Sequence, residues 1–242
     1  MDSPELKPVP EDWERALAVV AHPDDLEYGC ASAIARWTSQ GKSVAYALVT
    51  SGEAGIDAMA PEEARRIREQ EERDSAAQVG VNTVEFLGHP DGTIEYGLKL
   101  RKDIARGIRR HRPEVIVTLN YHRFWPGGVA LNMADHRAVG EAVLDAARDA
   151  ANRWVFVELG NEGLERWDGA RLVYVHASPR ATHAVDVGDH LDRGVASLEA
   201  QRAYIEGLGG RFDPRSFLTS SASAVGDRAG CRYAVDFEVL EL

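Results

Sequence analysis

The apolar run Ala16-Leu17-Ala18-Val19-Val20 leads directly into Ala21-His22-Pro23-Asp24-Asp25-Leu26-Glu27, which sets one imidazole and three carboxylates within six residues. A short apolar run followed by turn residues reads as a buried strand giving way to a helix. Pro and Asp are ordinary turn formers, but turning alone needs far less acid than this segment carries. In an open α/β sheet, ligands bind in the crevice beyond the carboxyl ends of the strands. A divalent cation bound there would account for the cluster.

The rest of the chain repeats the alternation. Strand-like runs lie at 16–21, Val44–Thr50, Val84–Leu87, Val115–Asn120 and Leu172–His176, with helix-like stretches at 30–40, 61–79, 98–111 and 136–151. The 61–79 stretch opens on Pro61-Glu62-Glu63 and stops at Gly80, which suits the start and the end of a helix respectively. This order predicts an α/β fold, a mostly parallel sheet with helices on both faces. Gly52, Gly55, Gly88, Gly92, Gly127 and Gly128 follow the strands, so long loops are expected at one end of the sheet. Beyond Trp167 the pattern is less regular. Leu191 to Leu208 reads as one helix, and the tail from Arg211 carries a strand-like Tyr233-Ala234-Val235. Without repeats or a low-complexity linker, residues 1–242 are expected to form a single domain.

A net charge of −11 opposes non-specific binding to nucleic acid or to anionic membranes. The Arg-rich run from Arg106 to Arg112 reads as a solvated helix face. Cys30 and Cys231 are too few for a disulfide framework, and Met1 to Pro10 lacks the pattern of a secretory leader. No run approaches the ~20 apolar residues of a membrane helix. A cytoplasmic protein with a small-molecule substrate is expected, with no nucleic-acid or membrane partner; a homo-oligomer is left open.

A second constellation, Asn132-Met133-Ala134-Asp135-His136-Arg137, lies between the Gly-rich loop and the 136–151 helix. His22, Asp25 and His136 together would give two nitrogens and one carboxylate oxygen, leaving a fourth position open as in a catalytic zinc site. Ferrous iron also accepts such a set. Zinc lowers the pKa of its water to ~7, and Asp24 is the neighbouring carboxylate to finish the deprotonation. Glu27 reads as an outer or helix-start group. Taken singly, Asp24 or Asp25 could cap a helix, and His136 could be an ordinary histidine. Two His/Asp clusters, each at a strand-to-helix loop, are poorly explained that way.

These motifs, with Thr50-Ser51-Gly52-Glu53, Arg68-x-x-Glu71 before Ala76-Ala77, and Thr182-His183-Ala184-Val185-Asp186-Val187, resemble the LmbE-like or PIG-L family of zinc-dependent N-acetyl deacetylases over about residues 16–190. The resemblance implies a Rossmann-like fold and removal of acetyl from an amino sugar such as N-acetylglucosamine, or from a sugar conjugate. It implies one Zn²⁺ per chain on His22, Asp25 and His136, with Asp24 as general base. Arg68 matches a substrate-contacting arginine, and Asp91, in His89-Pro90-Asp91-Gly92, falls where a sugar-binding acid is found. Many members carry a histidine three residues before the last ligand. Here that position is Met133, which can neither donate a proton nor hold charge. His122, with Arg123, is the nearest replacement by topology; a shuttle by Asp24 is the other. Alternative readings are an amidase acting on a larger thiol conjugate, and a non-catalytic nucleotide- or sugar-binding module. Against the nucleotide reading, no Gly-x-Gly-x-x-Gly follows the first strand.

Overall fold

β2 (Arg15–Val20) is the strand from which the architecture follows. Its residues alternate between two cores: Ala16, Ala18 and Val20 pack with Ile34 and Trp37 on one side, while Leu17 and Val19 meet Ile104, Ile108 and Val139 on the other. Alternation without a polar face is what a strand buried on both sides requires. The computed structural model describes residues 5–209 and 212–242. Met1–Pro4, from the segment expected to lack a leader, and Gly210–Arg211, at the start of the expected tail, lie outside the described residues.

The remaining strands are β1 (Lys7–Pro8), β3 (Ser43–Leu48), β4 (Thr83–Phe86), β5 (Val115–Leu119), β6 (Leu172–His176), β7 (His183–Asp186) and β8 (Ala234–Glu241). They form one eight-stranded sheet in the order β1-β7-β8-β6-β5-β2-β3-β4. Every pairing is parallel except those of β8, which runs antiparallel to both β6 and β7. The helices are α1 (Asp25–Gly29), α2 (Ala31–Ser39), α3 (Pro61–Gln78), α4 (Leu98–His111), α5 (Ala134–Ala151), α6 (Val157–Asn161), α7 (Leu191–Glu199), α8 (Arg202–Gly207) and α9 (Pro214–Ala229). α4 and α5 cover one face; α2 contributes to the other. Among the described residues no helix is long and apolar enough to cross a membrane.

The mostly parallel sheet with helices on both faces agrees with the sequence reading, and so do the helices at 61–78 and 98–111. Three features differ. Leu191–Leu208 is two helices, because the chain breaks at Gln201, whose buried side chain donates to Glu72 Oε2 at 2.8 Å. α5 begins two residues early, which brings Asp135 and His136 into its first turn. α9 arises from a serine-rich stretch with only a faint apolar stripe, yet Asp213 caps it and Pro214 opens it.

Candidate metal centre

β2 and β5 are neighbours, and the loops beyond their carboxyl ends bring the two His/Asp clusters together. Asp24 adopts φ 91°, a left-handed backbone that costs a non-glycine residue about 1–3 kcal/mol. That turn points Asp24 and Asp25 in different directions. The His22 N–H donates to Asp25 Oδ2 at 2.9 Å, and Asp25 Oδ1 lies 3.1 Å from His136 Nε2. His136 Nε2 is 3.2 Å from His22 Nδ1, which is 3.7 Å from Asp25 Oδ2. Donors on a tetrahedral cation with bonds of ~2.0–2.2 Å stand roughly 3.3–3.6 Å apart. The three groups stand close to the separations that a small divalent ion would impose on them.

The partners behind each imidazole select the nitrogen that faces the centre. His136 Nδ1 donates to Asn132 Oδ1 at 3.0 Å, while the Asn132 amide donates to the carbonyls of Asn120 and His122. Nε2 is thereby left with its lone pair. His22 Nε2 faces Asp91 Oδ1 at 3.1 Å and Asp135 Oδ2 at 3.3 Å. Both are carboxylates that only accept, so Nε2 carries the proton and Nδ1 is free for a cation. Asp135 also accepts from the backbone of Gly92 and Ile94, which locks the loop bearing Asp91.

The electrostatics point the same way. Burial disfavours charge on His22, but Asp25, Asp135 and Asp91 outweigh it and raise its pKa well above the ordinary value. Burial likewise opposes ionisation of Asp25, yet His136 and His22 hold it well below the usual carboxylate range.

Asp24 is buried beside this cluster and ion-paired with Arg68 Nη2. Burial pushes its pKa up to about 6 despite the Arg68 charge. Arg68, 2% exposed, also donates to the carbonyls of Pro23 and Gly52 and lies 4.4 Å over the Tyr204 ring. Two further acids lie behind. Glu27 accepts from Ser75 at 2.6 Å and is raised by burial to about 7, and burial lifts Glu72 well above its ordinary range.

A cavity of about 880 Å³ opens onto His22, Asp24, Asp25 and His136. Arg68, Asp91 and Met133 also line it. His122 does not; its Nε2 pairs with Glu238 Oε2 at 2.7 Å. Trp125 lines the cavity, whereas Trp154 is exposed and Trp167 donates to the Pro113 carbonyl. Sequence reasoning singled out the segment holding Asp135 and Asn132 but gave neither a role of its own, and it gave none to Glu72. Asp135 and Asn132 stand in the same motif as His136, where a second carboxylate and an amide beside a ligand histidine are the signal.

Residues 17–147 match the PIG-L family, described as GlcNAc-PI de-N-acetylase. Diacetylchitobiose deacetylase of Thermococcus kodakarensis is 28% identical over 232 residues, covering 92% of this chain and 82% of that protein. A probable N-acetyl-alpha-D-glucosaminyl L-malate deacetylase 2 of Bacillus subtilis is 34% identical over 144 residues, 55% of this chain and 60% of that protein. In structure, N,N'-diacetylchitobiose deacetylase from Pyrococcus horikoshii superposes with a TM-score of 0.85 at 22% identity, over 95% of this chain and 85% of that one.

Asp135→Asn keeps the shape but weakens the acceptor behind His22. Its affinity for Zn²⁺, measured by chelator competition, is expected to fall ~10–100-fold. An unchanged affinity would mean that Asp135 does not tune the site. Glu72 supplies a stability test. Because its folded pKa lies above the unfolded value near 4.5, the folded protein retains a proton that the unfolded chain releases. Its contribution is therefore lost as pH rises through 4.5 toward the folded value. Glu72→Gln removes that penalty and should raise Tm at pH 8 by roughly several degrees while changing it little at pH 4. Equal shifts at both values would refute the assignment.

Proposed function

The chain belongs to the PIG-L family, and we propose that it is a divalent-metal-dependent hydrolase that removes acetyl from an N-acetylated amino sugar or sugar conjugate. The observation that carries this reading is the convergence of His22 Nδ1, Asp25 and His136 Nε2 at 3.1–3.7 Å, with Asp24 beside them in one cavity. These three residues would hold the ion, and a mixed nitrogen and carboxylate donor set suits zinc, one per chain. When bound, the cation supplies Lewis acidity toward a water and the amide carbonyl.

The protein's own contribution centres on Asp24. Arg68 holds the carboxylate in one orientation, and a pKa near 6 lets it take a proton from the attacking water at neutral pH. As the C–N bond breaks, the same carboxyl returns that proton to the leaving nitrogen. Met133 has no proton to give, and His122 is engaged with Glu238 outside the cavity wall. One carboxylate serving in turn as base and acid meets both demands. The role of Arg68 in this scheme is to position Asp24; Asp91 backs His22 and reaches the cavity where a sugar hydroxyl would lie.

Asp24→Asn is expected to retain metal and lose ~10²–10⁴-fold in kcat on an N-acetyl amino sugar. Activity above about a tenth of wild type would remove Asp24 from the role of base. His122→Ala, assayed alongside, should lose no more than about threefold, since deleting a true oxyanion donor costs ~10²–10³-fold. A hundredfold fall with metal retained would transfer the role to His122.

A further inference from the structure

The cavity is larger and less polar than removal of an acetyl group requires. Sheet order separates its two arms, because the metal-binding cluster sits beyond β2 and β5, with β3 and β4 to one side and β6, β8 and β7 to the other. On the β3 and β4 side the wall is formed by Asp24, Gly55, Arg68, Asp91 and Gly92, which offer charge and open backbone. On the β8 side it is formed by Leu191 of α7, Leu218, Ala222 and Val225 of α9, and Val235 of β8. β8 is antiparallel, so its first residues lie at the same end of the sheet as the cluster. Arg228 and Asp236 also line this arm, but they neutralise each other at 3.1 Å.

Small side chains keep the apolar arm open. Ala31, Ser32, Ala177, Ser221, Ala224 and Ala234 stand where larger residues would fill the space. Open volume beside apolar atoms forfeits packing contacts and costs stability. The faint apolar stripe of α9 fits this arrangement, since part of its inner face borders the cavity as well as a packed core.

An amide has two sides. An amine bearing sugar hydroxyls matches the polar arm, which directs the acyl side across the cluster into the apolar arm. Resting on the hydrolase reading above, we propose that this protein removes medium-length N-acyl chains from amino sugars, with the alkyl tail lodged between α7, α9 and the start of β8. Water adds its oxygen to the acyl carbon and the C–N bond breaks. The nitrogen keeps the bonding pair and takes a proton, giving a free amine and a fatty carboxylate.

The test compares N-acetyl-, N-butanoyl- and N-octanoylglucosamine with the metal-loaded protein. Each methylene accommodated should raise kcat/KM about three- to fourfold until the arm is full. Val225→Trp and Ala222→Phe, checked for folding by Tm, should each shrink the octanoyl-to-acetyl ratio at least roughly tenfold, as expected for losing two or more methylenes from the arm. Calorimetry gives a readout independent of turnover: octanoate should bind the wild-type protein more tightly than acetate, and Val225→Trp should abolish the difference. A flat chain-length series overturns the proposal, as does a gain that appears only with octyl glycosides of N-acetylglucosamine. If no amide is cleaved, the hydrolase reading fails by itself, and equal binding of octanoate and acetate would then dispose of the acyl arm too.

Discussion

Too much negative charge is buried in one place, and much of the structure answers that fact. Asp24, Asp25, Glu27, Glu72 and Asp135 are all within the interior, and Arg68 is the buried guanidinium among them. Isolated carboxylates cannot stay ionised in such a setting; they must be paired, hydrogen-bonded or protonated. Each solution appears here. Arg68 pairs with Asp24, the imidazoles hold Asp25 ionised, Asp135 draws on two backbone N–H groups, and Glu27 and Glu72 are pushed toward the neutral form. A divalent ion held by His22, Asp25 and His136 would complete the charge balance where the donors already face one another.

This requirement accounts for local irregularities as well. Asp24 takes a left-handed backbone at the turn where its own carboxylate pairs with Arg68 and that of Asp25 faces His136. The helix break at Gln201 supplies Glu72 with a donor. A carboxylate stands behind His22 and an amide behind His136, so each ring presents a chosen nitrogen. Rigid outer partners of this kind decide how well a ligand set holds its ion.

The parts legible in the sequence were those that depend on neighbours along the chain. Apolar runs marked β2, β3, β5 and β6, Pro61 marked the start of α3, and the acid-rich turn marked the crevice. α9 escaped because an inner face that borders a cavity carries a weak apolar stripe, and stripe strength is what periodicity detects. Arg68 matched a substrate-contacting arginine in the sequence. Its burial against Asp24 depends on packing between α3 and the β2 loop, which no local pattern encodes. His122 could be placed near the crevice by topology, but its turn toward Glu238 on β8 joins residues 116 positions apart.

The position of β8 also governs the order in which the molecule can assemble. This strand is made after every other strand of the sheet, yet it belongs between β6 and β7, and β1 joins the sheet only through β7. A nascent chain can pair β2 with β3 and β5 early, but β6 keeps an open edge and the β1–β7 pair has no strand neighbour in the sheet until residues 234–241 emerge. Exposed strand edges invite pairing with other chains. Non-local strand insertion is also slow, because the connecting loop must close before any contact rewards it. Loss of that segment would therefore do more than trim the sheet: it would leave an aggregation-prone half-sheet and detach the first strand from the fold.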